Sequence, residues 1–283
     1  MNNILITGGT GFFGREFTER VLCRGAYRVC IYSRDEWKQA QMREELIASL
    51  YYADRLRWFI GDVRDAARLR RAMEGIDTVV HAAALKRIEV GNYAPDEMVK
   101  TNVGGTSNVV ETAFQAKVKK VVMLSTDKAY QPISPYGQTK ALAESIVLNA
   151  NNMYGEHGPK YSVVRYGNVA GSTGSVIPVW RNILETSDTV PVTDPHCTRF
   201  MMLADQAVDL VLDTIETMEG GELNIPQLPA FSIGDLALAM GAKMKITGLP
   251  KWEKMHECMA DGNCSNTARQ MSVEEIREAL RHV

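Results

Sequence analysis

The amino-acid sequence predicts an α/β fold, in which a doubly wound parallel sheet is followed by a smaller α/β lobe. Two observations point to this fold class. Short apolar runs alternate with longer amphipathic stretches, which is typical of a parallel sheet covered by helices on both faces. The first apolar run also leads directly into a glycine-rich loop and then into a helical pattern, which is how many such sheets begin.

The predicted strands are short runs rich in β-branched and aliphatic residues. They cover residues 4–7, 29–32, 56–60, 78–81, 121–124 and 162–165. Amphipathic patterns predict helices between them, near 11–24, 36–50, 65–74, 96–116 and 136–153. Right-handed crossovers then give a doubly wound sheet, which binds its ligands at the carboxyl ends of the strands.

The pattern changes after about residue 170. Glycines at 171 and 174 and prolines at 178, 191, 195, 226, 229 and 250 divide this part of the sequence into short pieces, because both residue types interrupt regular structure. We predict that residues 1–170 form the large domain. Residues 171–283 are predicted to form a smaller substrate-binding lobe that is interleaved with it.

Composition narrows the classes of partner. The 283 residues are 45% hydrophobic and carry a net charge of -2, so neither nucleic acid nor an anionic membrane is expected as a partner. We find no signal segment and no apolar stretch near the roughly 18 residues that span a bilayer. The five cysteines are scattered, which favours a reduced, cytoplasmic setting. No metal site is predicted, since the spacing of Cys258 and Cys264 matches no common zinc pattern.

The glycine-rich loop predicts a dinucleotide-binding site in a sheet of the Rossmann type. Glycines at these positions permit a sharp turn, a close approach to a pyrophosphate and tight packing of helix on strand. The helix that follows offers unpaired N–H groups and a partial positive charge. An ordinary glycine-rich turn is the alternative. The candidate cofactor residues of the loop are Gly8, Thr10, Gly11, Phe12, Phe13 and Gly14.

The end of the second strand predicts which dinucleotide binds. An acidic residue there would hold the ribose 2′-hydroxyl of NAD, whereas an arginine accommodates the 2′-phosphate of NADP. The sequence reads Ser33-Arg34-Asp35, in which Arg34 can pair with a phosphate. NADP is therefore the expected cofactor, and Asp35 keeps NAD as the alternative. Asp62 and Val63, after the third strand, are candidates for the adenine edge; a plain helix cap is the alternative for Asp62.

Side chains suited to acid–base chemistry follow the fifth strand. Asp127 and Lys128 come directly after it, and Tyr136 and Lys140 form a Tyr-x-x-x-Lys motif. Because residues four apart share one face of a helix, we expect the ammonium of Lys140 to lower the pKa of the Tyr136 phenol. The tyrosine could then take a proton from a sugar hydroxyl. The alternative is a partly buried tyrosine beside a surface lysine.

Together these motifs resemble the extended short-chain dehydrogenase/reductases, at residues 7–14, 33–36, 81–84, 125–129 and 136–140. Within them the chain is most similar to the nucleotide-sugar 4,6-dehydratases that act on UDP-N-acetylglucosamine. Asp127-Lys128 is the most diagnostic piece, since 4-epimerases carry a small hydroxyl residue there and other dehydratases carry Asp-Glu. The resemblance implies an NADP-dependent lyase, a homo-oligomer, that inverts C5 of the sugar while it removes water.

The resemblance also implies a role for individual residues. Lys128, made neutral by burial and by the nearby Lys140, would take the C5 proton. Asp127 would give a proton to the C6 hydroxyl, and Tyr136 would take the proton of the C4 hydroxyl. Arg199 is the implied diphosphate partner, with a surface salt bridge as its alternative. The other implied residues are Ala82, Ala83, Ala84, Lys86 and Asn102 for the cofactor, and Lys86, Thr126, Asn168, Ser175, Val176 and Glu253 for the substrate.

Two other functions stay open in the sequence. A nucleotide-sugar 4-epimerase or reductase of the same superfamily would leave the 6-hydroxyl of its substrate in place. A non-catalytic NADP sensor would use the cofactor loop alone, although the intact Asp127, Lys128 and Tyr136 argue against it. The chain departs from the resemblance at Pro250-Lys251-Trp252, where relatives have Arg-Pro-Gly, so the contacts with the nucleotide base are not predicted.

Overall fold

A computed structural model describes residues 3–49 and 53–283 of the chain. The strands that were predicted from the sequence are confirmed, most of them with one or two further residues at their ends. The described strands are β1 (Asn3–Thr7), β2 (Arg28–Ser33), β3 (Leu56–Ile60), β4 (Thr78–His81), β5 (Lys120–Thr126), β6 (Lys160–Tyr166), β7 (Thr189–Val192), β8 (Thr198–Phe200), β9 (Leu223–Asn224), β10 (Ala230–Ser232), β11 (Lys243–Ile246), β12 (Cys258–Ala260) and β13 (Asn263–Cys264).

A 7-stranded sheet in the order β3-β2-β1-β4-β5-β6-β9 forms the centre of the fold. Its strands are parallel, and the chain reverses its direction of winding between β1 and β4. This is the doubly wound Rossmann arrangement that the sequence predicts. The three central residues of β1 are apolar because Ile4 and Ile6 pack in the core on one face of the sheet, and Leu5 packs in the core on the other.

Helices cover the sheet on both faces. The predicted helices near 11–24, 36–50, 65–74 and 136–153 are confirmed within a few residues, although residue 50 lies outside the described part. The helices are α1 (Phe12–Cys23), α2 (Glu36–Ser49), α3 (Ala66–Ala72), α4 (Ile88–Tyr93), α5 (Pro95–Met98), α6 (Gly105–Gln115), α7 (Pro135–Tyr154), α8 (Val176–Leu184), α9 (Ala204–Thr217), α10 (Ile233–Ala239) and α11 (Val273–Leu280).

The predicted helix at 96–116 contains a π-helical turn, Val99–Gly104, between α5 and α6. Asn102 lies in this turn, and its side-chain amide is bonded to the backbone of Leu85 and to Thr139 Oγ1. Such turns often mark functional sites. Helical periodicity in the sequence does not reveal this one, because its partners come from distant parts of the chain.

The C-terminal part is only partly a separate lobe. It forms small two-stranded sheets that pair β7 with β11, β8 with β10, and β12 with β13. However, α9 packs in the same apolar core as β1 and β6, and β9 joins the large sheet beside β6. The domain boundary at residue 170 stays a prediction. Residues 204–224 follow this boundary in sequence but pack with the large sheet.

The expectation that all five cysteines are reduced is wrong for one pair. Cys258 and Cys264 form a disulfide, whereas Cys23, Cys30 and Cys197 are free thiols. The antiparallel hairpin of β12 and β13 places Cys258 opposite Cys264, a pairing that sequence spacing alone does not reveal. Over residues 3–49 and 53–283, no cluster of side chains suited to a metal is found. Within the same ranges, no helix has the length and apolar character needed to span a bilayer.

Candidate active site

The glycine-rich loop lies where β1 ends and α1 begins. Gly8 has a φ of +68°, and a Cβ there would lie 2.9 Å from the backbone of Ala83, so no side chain fits. The loop is held by a hydrogen bond from the Gly8 N–H to the Tyr32 carbonyl, at 2.8 Å. Gly11 caps α1 without a side-chain hydrogen bond. The first N–H groups of α1, from Phe12 onward, are thus available to an anion.

Three candidate cofactor residues lie at the end of β2. The side chains of Ser33 and Asp35 form hydrogen bonds that fix the local structure, whereas Arg34 carries a half-exposed charge. Gln39 donates its side-chain N–H to Ser33 Oγ at 3.0 Å, which fixes this turn. The Arg34 guanidinium is half exposed and lies 3.5 Å from the carboxylate of Asp62. The carboxylate of Asp35 accepts an N–H of the first turn of α2 at 3.0 Å. Asp35 is therefore engaged as a helix cap, whereas the Arg34 guanidinium keeps about half of its surface exposed.

Asp62 and Val63 follow β3 and are fixed by neighbouring elements. The Asp62 carboxylate accepts the backbone N–H and the guanidinium of Arg64 at 2.9 and 2.7 Å. Burial opposes ionisation of Asp62, but the hydrogen bonds from Arg64 lower the pKa of its carboxyl group. Val63 is buried, and its carbonyl accepts the side-chain N–H of Asn108 at 2.9 Å. The alternative of a plain helix cap is wrong for Asp62, because Asp65 caps α3, whereas the Asp62 carboxylate binds Arg64 and lies near Arg34.

The segment after β4, Ala82–Ala84, lies next to the glycine-rich loop. The N–H of Ala83 donates to Thr7 Oγ1 at 3.3 Å. The carbonyl oxygen of the Asn102 side chain accepts the Leu85 N–H at 2.8 Å, and its NH₂ group donates to the Leu85 carbonyl and to Thr139 Oγ1, each at 3.0 Å. Asn102 was predicted to bind the cofactor. Its amide instead fixes the segment that carries the alanines.

His81 and Lys86 mark the two ends of the same segment. His81 is buried between Thr7 Oγ1, at 2.7 Å, and Thr106 Oγ1, at 3.0 Å. Burial lowers the pKa of His81 to about 3, and the charge of Lys140 contributes. His81 is therefore a neutral structural residue. Lys86 stands at the exposed end, where partial desolvation lowers the pKa of its ammonium.

A compact ionic cluster follows β5. Asp127 is fully buried, and its Oδ1 accepts the hydroxyl of Thr126 at 2.9 Å and the ammonium of Lys128 at 3.1 Å. The same ammonium lies 3.5 Å from Oε1 of Glu257, which is also buried. One lysine is thus shared by two buried carboxylates. No local signal in the sequence identifies Glu257 as a site residue.

The proton affinity of Lys128 differs from the prediction. Burial by itself would lower the pKa of this lysine, but the charges of Asp127 and Glu257 raise the pKa above its ordinary value. The cationic group near Lys128 is Arg199, and its effect is smaller than that of the carboxylates. The expected neutral lysine, with its pKa lowered by Lys140, is therefore wrong for the side chains as they stand. The buried anions stabilise the ammonium.

Tyr136 and Lys140 share one face of α7, as the motif predicts, and both are buried. The side chain of Ser134 caps this helix by accepting the N–H of Gly137 at 3.2 Å. Burial raises the pKa of Tyr136 to about 12; the charge of Lys128 opposes this rise. Lys140 donates to the Leu124 carbonyl at 2.7 Å, and burial lowers its pKa to about 8. The cation that favours the phenolate is therefore Lys128.

The structure does not support the predicted diphosphate contact of Arg199. This guanidinium is buried, and its terminal nitrogens donate to the carbonyls of Thr198, Met255 and Lys254 at 2.7, 3.1 and 3.0 Å. It also donates to the carboxylate of Glu253 at 2.6 Å. Its terminal N–H groups are therefore engaged within the protein. Arg199 fastens the segment that carries Glu253 to β8, and a surface salt bridge is excluded by the same burial.

Several buried oxygen atoms have no hydrogen-bond partner within the described residues. Such atoms are rare in folded proteins and indicate places that a ligand or water completes. Ser175 caps α8, just before Val176, without using its hydroxyl. Most of the atoms lie on or beside the loops that follow β5 and β6, at the carboxyl edge of the sheet: Ser125 Oγ, Asp127 Oδ2, Asn168 Oδ1 and Ser175 Oγ; Glu257 Oε2 adjoins them. The glycine-rich loop and this set of atoms fit a dinucleotide and a polar substrate.

Comparison with known proteins identifies the family. Residues 4–278 match the model of the polysaccharide biosynthesis protein family. The chain belongs to this family. A family relative from Campylobacter jejuni, named UDP-N-acetylglucosamine 4,6-dehydratase (inverting), is 43% identical over 268 residues, which cover 93% of this chain and 79% of that relative. A Rickettsia canadensis relative named UDP-glucose 4-epimerase is 39% identical over 90% of this chain and 76% of its own length.

Solved structures share the fold of this family member. The structure of Pen from Bacillus thuringiensis matches with a TM-score of 0.94 and 34% identity, covering 99% of this chain and 96% of that one. The dTDP-glucose 4,6-dehydratase DesIV from Streptomyces venezuelae matches with a TM-score of 0.83, covering 99% of this chain and 96% of its own. At 22% identity, DesIV supports the fold alone.

Proposed function

We propose that the protein is an NADP-dependent UDP-N-acetylglucosamine 4,6-dehydratase that inverts C5. The observation that carries the proposal is the buried pair of Asp127 and Lys128, hydrogen-bonded at 3.1 Å, which lies at the carboxyl edge of the sheet with the Tyr136 helix. Elimination of water beside an oxidised carbon needs a base and an acid, and this pair offers one of each. The Campylobacter jejuni relative supports the choice of substrate.

The reaction is assigned to the residues as follows. Bound NADP would supply the redox chemistry, by taking a hydride from C4 of the sugar and returning it at C6. Tyr136, as the phenolate that the nearby charge of Lys128 stabilises, takes the proton of the C4 hydroxyl and becomes a neutral phenol. Lys128 then takes the C5 proton, which is acidic once C4 is a ketone. Asp127 gives a proton to the departing C6 oxygen. A proton that returns to C5 from the opposite face inverts this centre.

The raised pKa of Lys128 requires a route to the neutral amine. The hydrogen bond from Lys128 Nζ to Asp127 Oδ1 provides one, since transfer of a single proton along it produces a neutral amine and a carboxylic acid together. These are the two states that the elimination needs. A sugar that enters the cleft excludes water from Asp127 and Lys128, and a low dielectric disfavours the charged pair more than the neutral one.

We assign the substrate to the polar groups left without partners. Thr126 ends β5, and Asn168, Ser175 and Val176 lie between β6 and the start of α8. Asn168 and Ser175 carry buried oxygens that a sugar hydroxyl or amide could satisfy. Glu253 and the exposed Lys86 complete the proposed set. Arg199 serves this set indirectly, because it holds Glu253 in place.

The proposed function is tested by product analysis. Purified protein is incubated with NADP and UDP-N-acetylglucosamine, and the product is followed by mass spectrometry and NMR. The proposal expects loss of one water from the sugar and a 4-keto-6-deoxy product. A product that keeps its 6-hydroxyl and differs only at C4 would instead support a 4-epimerase, the function that the name of the Rickettsia canadensis relative suggests.

Arg34 is proposed to select NADP over NAD. We expect Arg34→Ala to weaken NADP binding by roughly tenfold or more, because a charge-assisted contact with the 2′-phosphate is lost. Binding of NAD should change little, since NAD has no such phosphate. Calorimetric titration of both cofactors measures the ratio. The matched control is Arg64→Ala, which removes the other guanidinium bound to Asp62; equal losses in both variants would contradict the assignment.

A homo-oligomer is proposed from an exposed apolar stripe on α7. Leu142 and Met153 are 52% and 69% exposed, and eleven residues apart they lie on one face of the helix. Leu142→Glu should lower the molecular mass in solution, because a carboxylate placed in a subunit contact must be desolvated. Light scattering after gel filtration measures this mass. Leu238→Glu, at an apolar residue of α10 that is 54% exposed, is the control and should leave the mass unchanged.

A further inference from the structure

Glu257 is a buried carboxylate that the proposed reaction does not use. Glu257 directly precedes β12, and its backbone N–H donates to Ser265 Oγ at 3.0 Å. Its Oε1 lies 3.5 Å from Lys128 Nζ, and its Oε2 lies 3.6 Å from Lys254 Nζ. Oε2 has no hydrogen bond. A carboxylate is costly to bury unless it is paired, so its charge is matched to these two lysines.

The position of Glu257 is fixed from several sides. The disulfide of Cys258 with Cys264 closes the hairpin that begins at the next residue. Arg165 of β6 donates to the Met259 carbonyl of this hairpin at 2.6 Å. Ser265, at the far end of the hairpin, shares a hydrogen bond of 2.7 Å with the Thr198 hydroxyl. The carboxylate is therefore held beside Lys128 by the large sheet and by β8 together.

We propose that Glu257 is the counter-ion of Lys128, and that it stabilises the ammonium formed when Lys128 takes the C5 proton. This inference rests on the proposed function. At that stage Asp127 is still a neutral acid, because it keeps its proton until the C6 oxygen departs, so the anion that faces the new ammonium is Glu257. Glu257 takes no part in these proton transfers. It acts through Lys128 and is a positioning residue, not one that reacts with the sugar.

The direction in which the pKa of Lys128 changes when Glu257 is replaced follows from the charges around these two residues. Removing the Glu257 carboxylate makes the ammonium of Lys128 less stable, so the pKa of the lysine falls. The proton that Lys128 shares with Asp127 is then lost at a lower pH, and an opposite charge at such a distance typically shifts a pKa by about 1 to 3 units. The other charged or titratable groups that face Lys128 or Glu257 are Asp127, Tyr136, Arg199 and Lys254.

The test combines a pH profile of turnover with a direct titration of Lys128. Glu257→Gln keeps the shape of the side chain and removes the charge, and Glu257→Asp keeps the charge on a shorter chain. The control is Asp261→Asn, an exposed carboxylate of the same hairpin that binds the hydroxyl of Tyr130. In protein with isotope-labelled lysine, NMR follows the Lys128 signal against pH. That signal is assigned by its absence from Lys128→Arg.

For Glu257→Gln we expect the Lys128 titration, and the loss of turnover at high pH, to begin at least about one pH unit below wild type. Its maximal rate should fall by about tenfold, because a weaker base removes the C5 proton more slowly. For Glu257→Asp, the onset of the Lys128 titration and the maximal rate should lie between those of Glu257→Gln and wild type. For Asp261→Asn, both should match wild type. An unchanged Lys128 titration in Glu257→Gln overturns the inference. Because this titration needs no turnover, a wild-type protein that fails to dehydrate the sugar would refute only the proposed function.

Discussion

Lys128→Arg is expected to lower turnover of UDP-N-acetylglucosamine by roughly 10³-fold, within the range found for a missing general base. A guanidinium keeps the positive charge between Asp127 and Glu257, so the buried carboxylates stay paired and the fold should be retained. However, arginine is not deprotonated in proteins, so it cannot take the C5 proton. Initial rates of product formation at saturating substrate measure the loss, and thermal unfolding verifies the fold.

The matched control for this variant lies at the start of β5, the strand that ends just before Asp127 and Lys128. Lys120 is the first residue of β5, at the edge of the sheet remote from the cluster, where its ammonium donates to the Ile215 carbonyl. Lys120→Arg should keep wild-type turnover. If Lys128→Arg also retained more than about a tenth of the wild-type rate, a base other than Lys128 would be required.

Tyr136→Phe is expected to lower turnover by about 10² to 10³-fold. The variant removes only the hydroxyl that is to take the C4 proton, and leaves the buried ring in the core. Since oxidation at C4 precedes elimination, both the dehydrated product and any exchange of the C5 proton should be lost together. The NMR signals of the sugar, followed over time, measure both. Lys128→Arg should differ from this variant, because it blocks C5 exchange and elimination but leaves oxidation at C4 intact.

Tyr154→Phe provides the control for the tyrosine. Tyr154 is the last residue of α7, and its hydroxyl donates to the carboxylate of Glu111 at 2.7 Å, remote from the glycine-rich loop. Its removal should leave turnover at the wild-type level. A Tyr136→Phe protein that still exchanges the C5 proton would show that C4 is oxidised without this hydroxyl, which would contradict its role as the C4 base.

The sheet could be predicted from the sequence because local patterns determine its strands. A run such as 121–124 is apolar on both faces, and only a covered parallel sheet accommodates it. Likewise, the spacing of Tyr136 and Lys140 places both on one face of α7 wherever that helix lies. The glycine-rich loop follows the same logic, since the left-handed φ of Gly8 is a local property.

Features that depend on contacts between distant residues could not be predicted in the same way. Lys128 was expected to be neutral through burial and the nearby charge of Lys140, whereas the charges of Asp127 and of Glu257, far along the chain, outweigh burial and raise its pKa. Arg199 resembles a phosphate ligand by residue type, but the 253–255 segment occupies its donors. The disulfide depends on the register of β12 and β13. In each case, tertiary pairing decides the role.

Turnover in heavy water tests directly whether Lys128 removes the C5 proton and Asp127 protonates the C6 hydroxyl, which leaves as water. UDP-N-acetylglucosamine is converted by the wild-type protein with NADP, and the product is examined by NMR and mass spectrometry. The proposed mechanism predicts deuterium at C5, inverted configuration at C5, and loss of one water from the sugar. A dehydrated product that keeps its original hydrogen at C5 would contradict it, as would unchanged C5 labelling in Lys128→Arg.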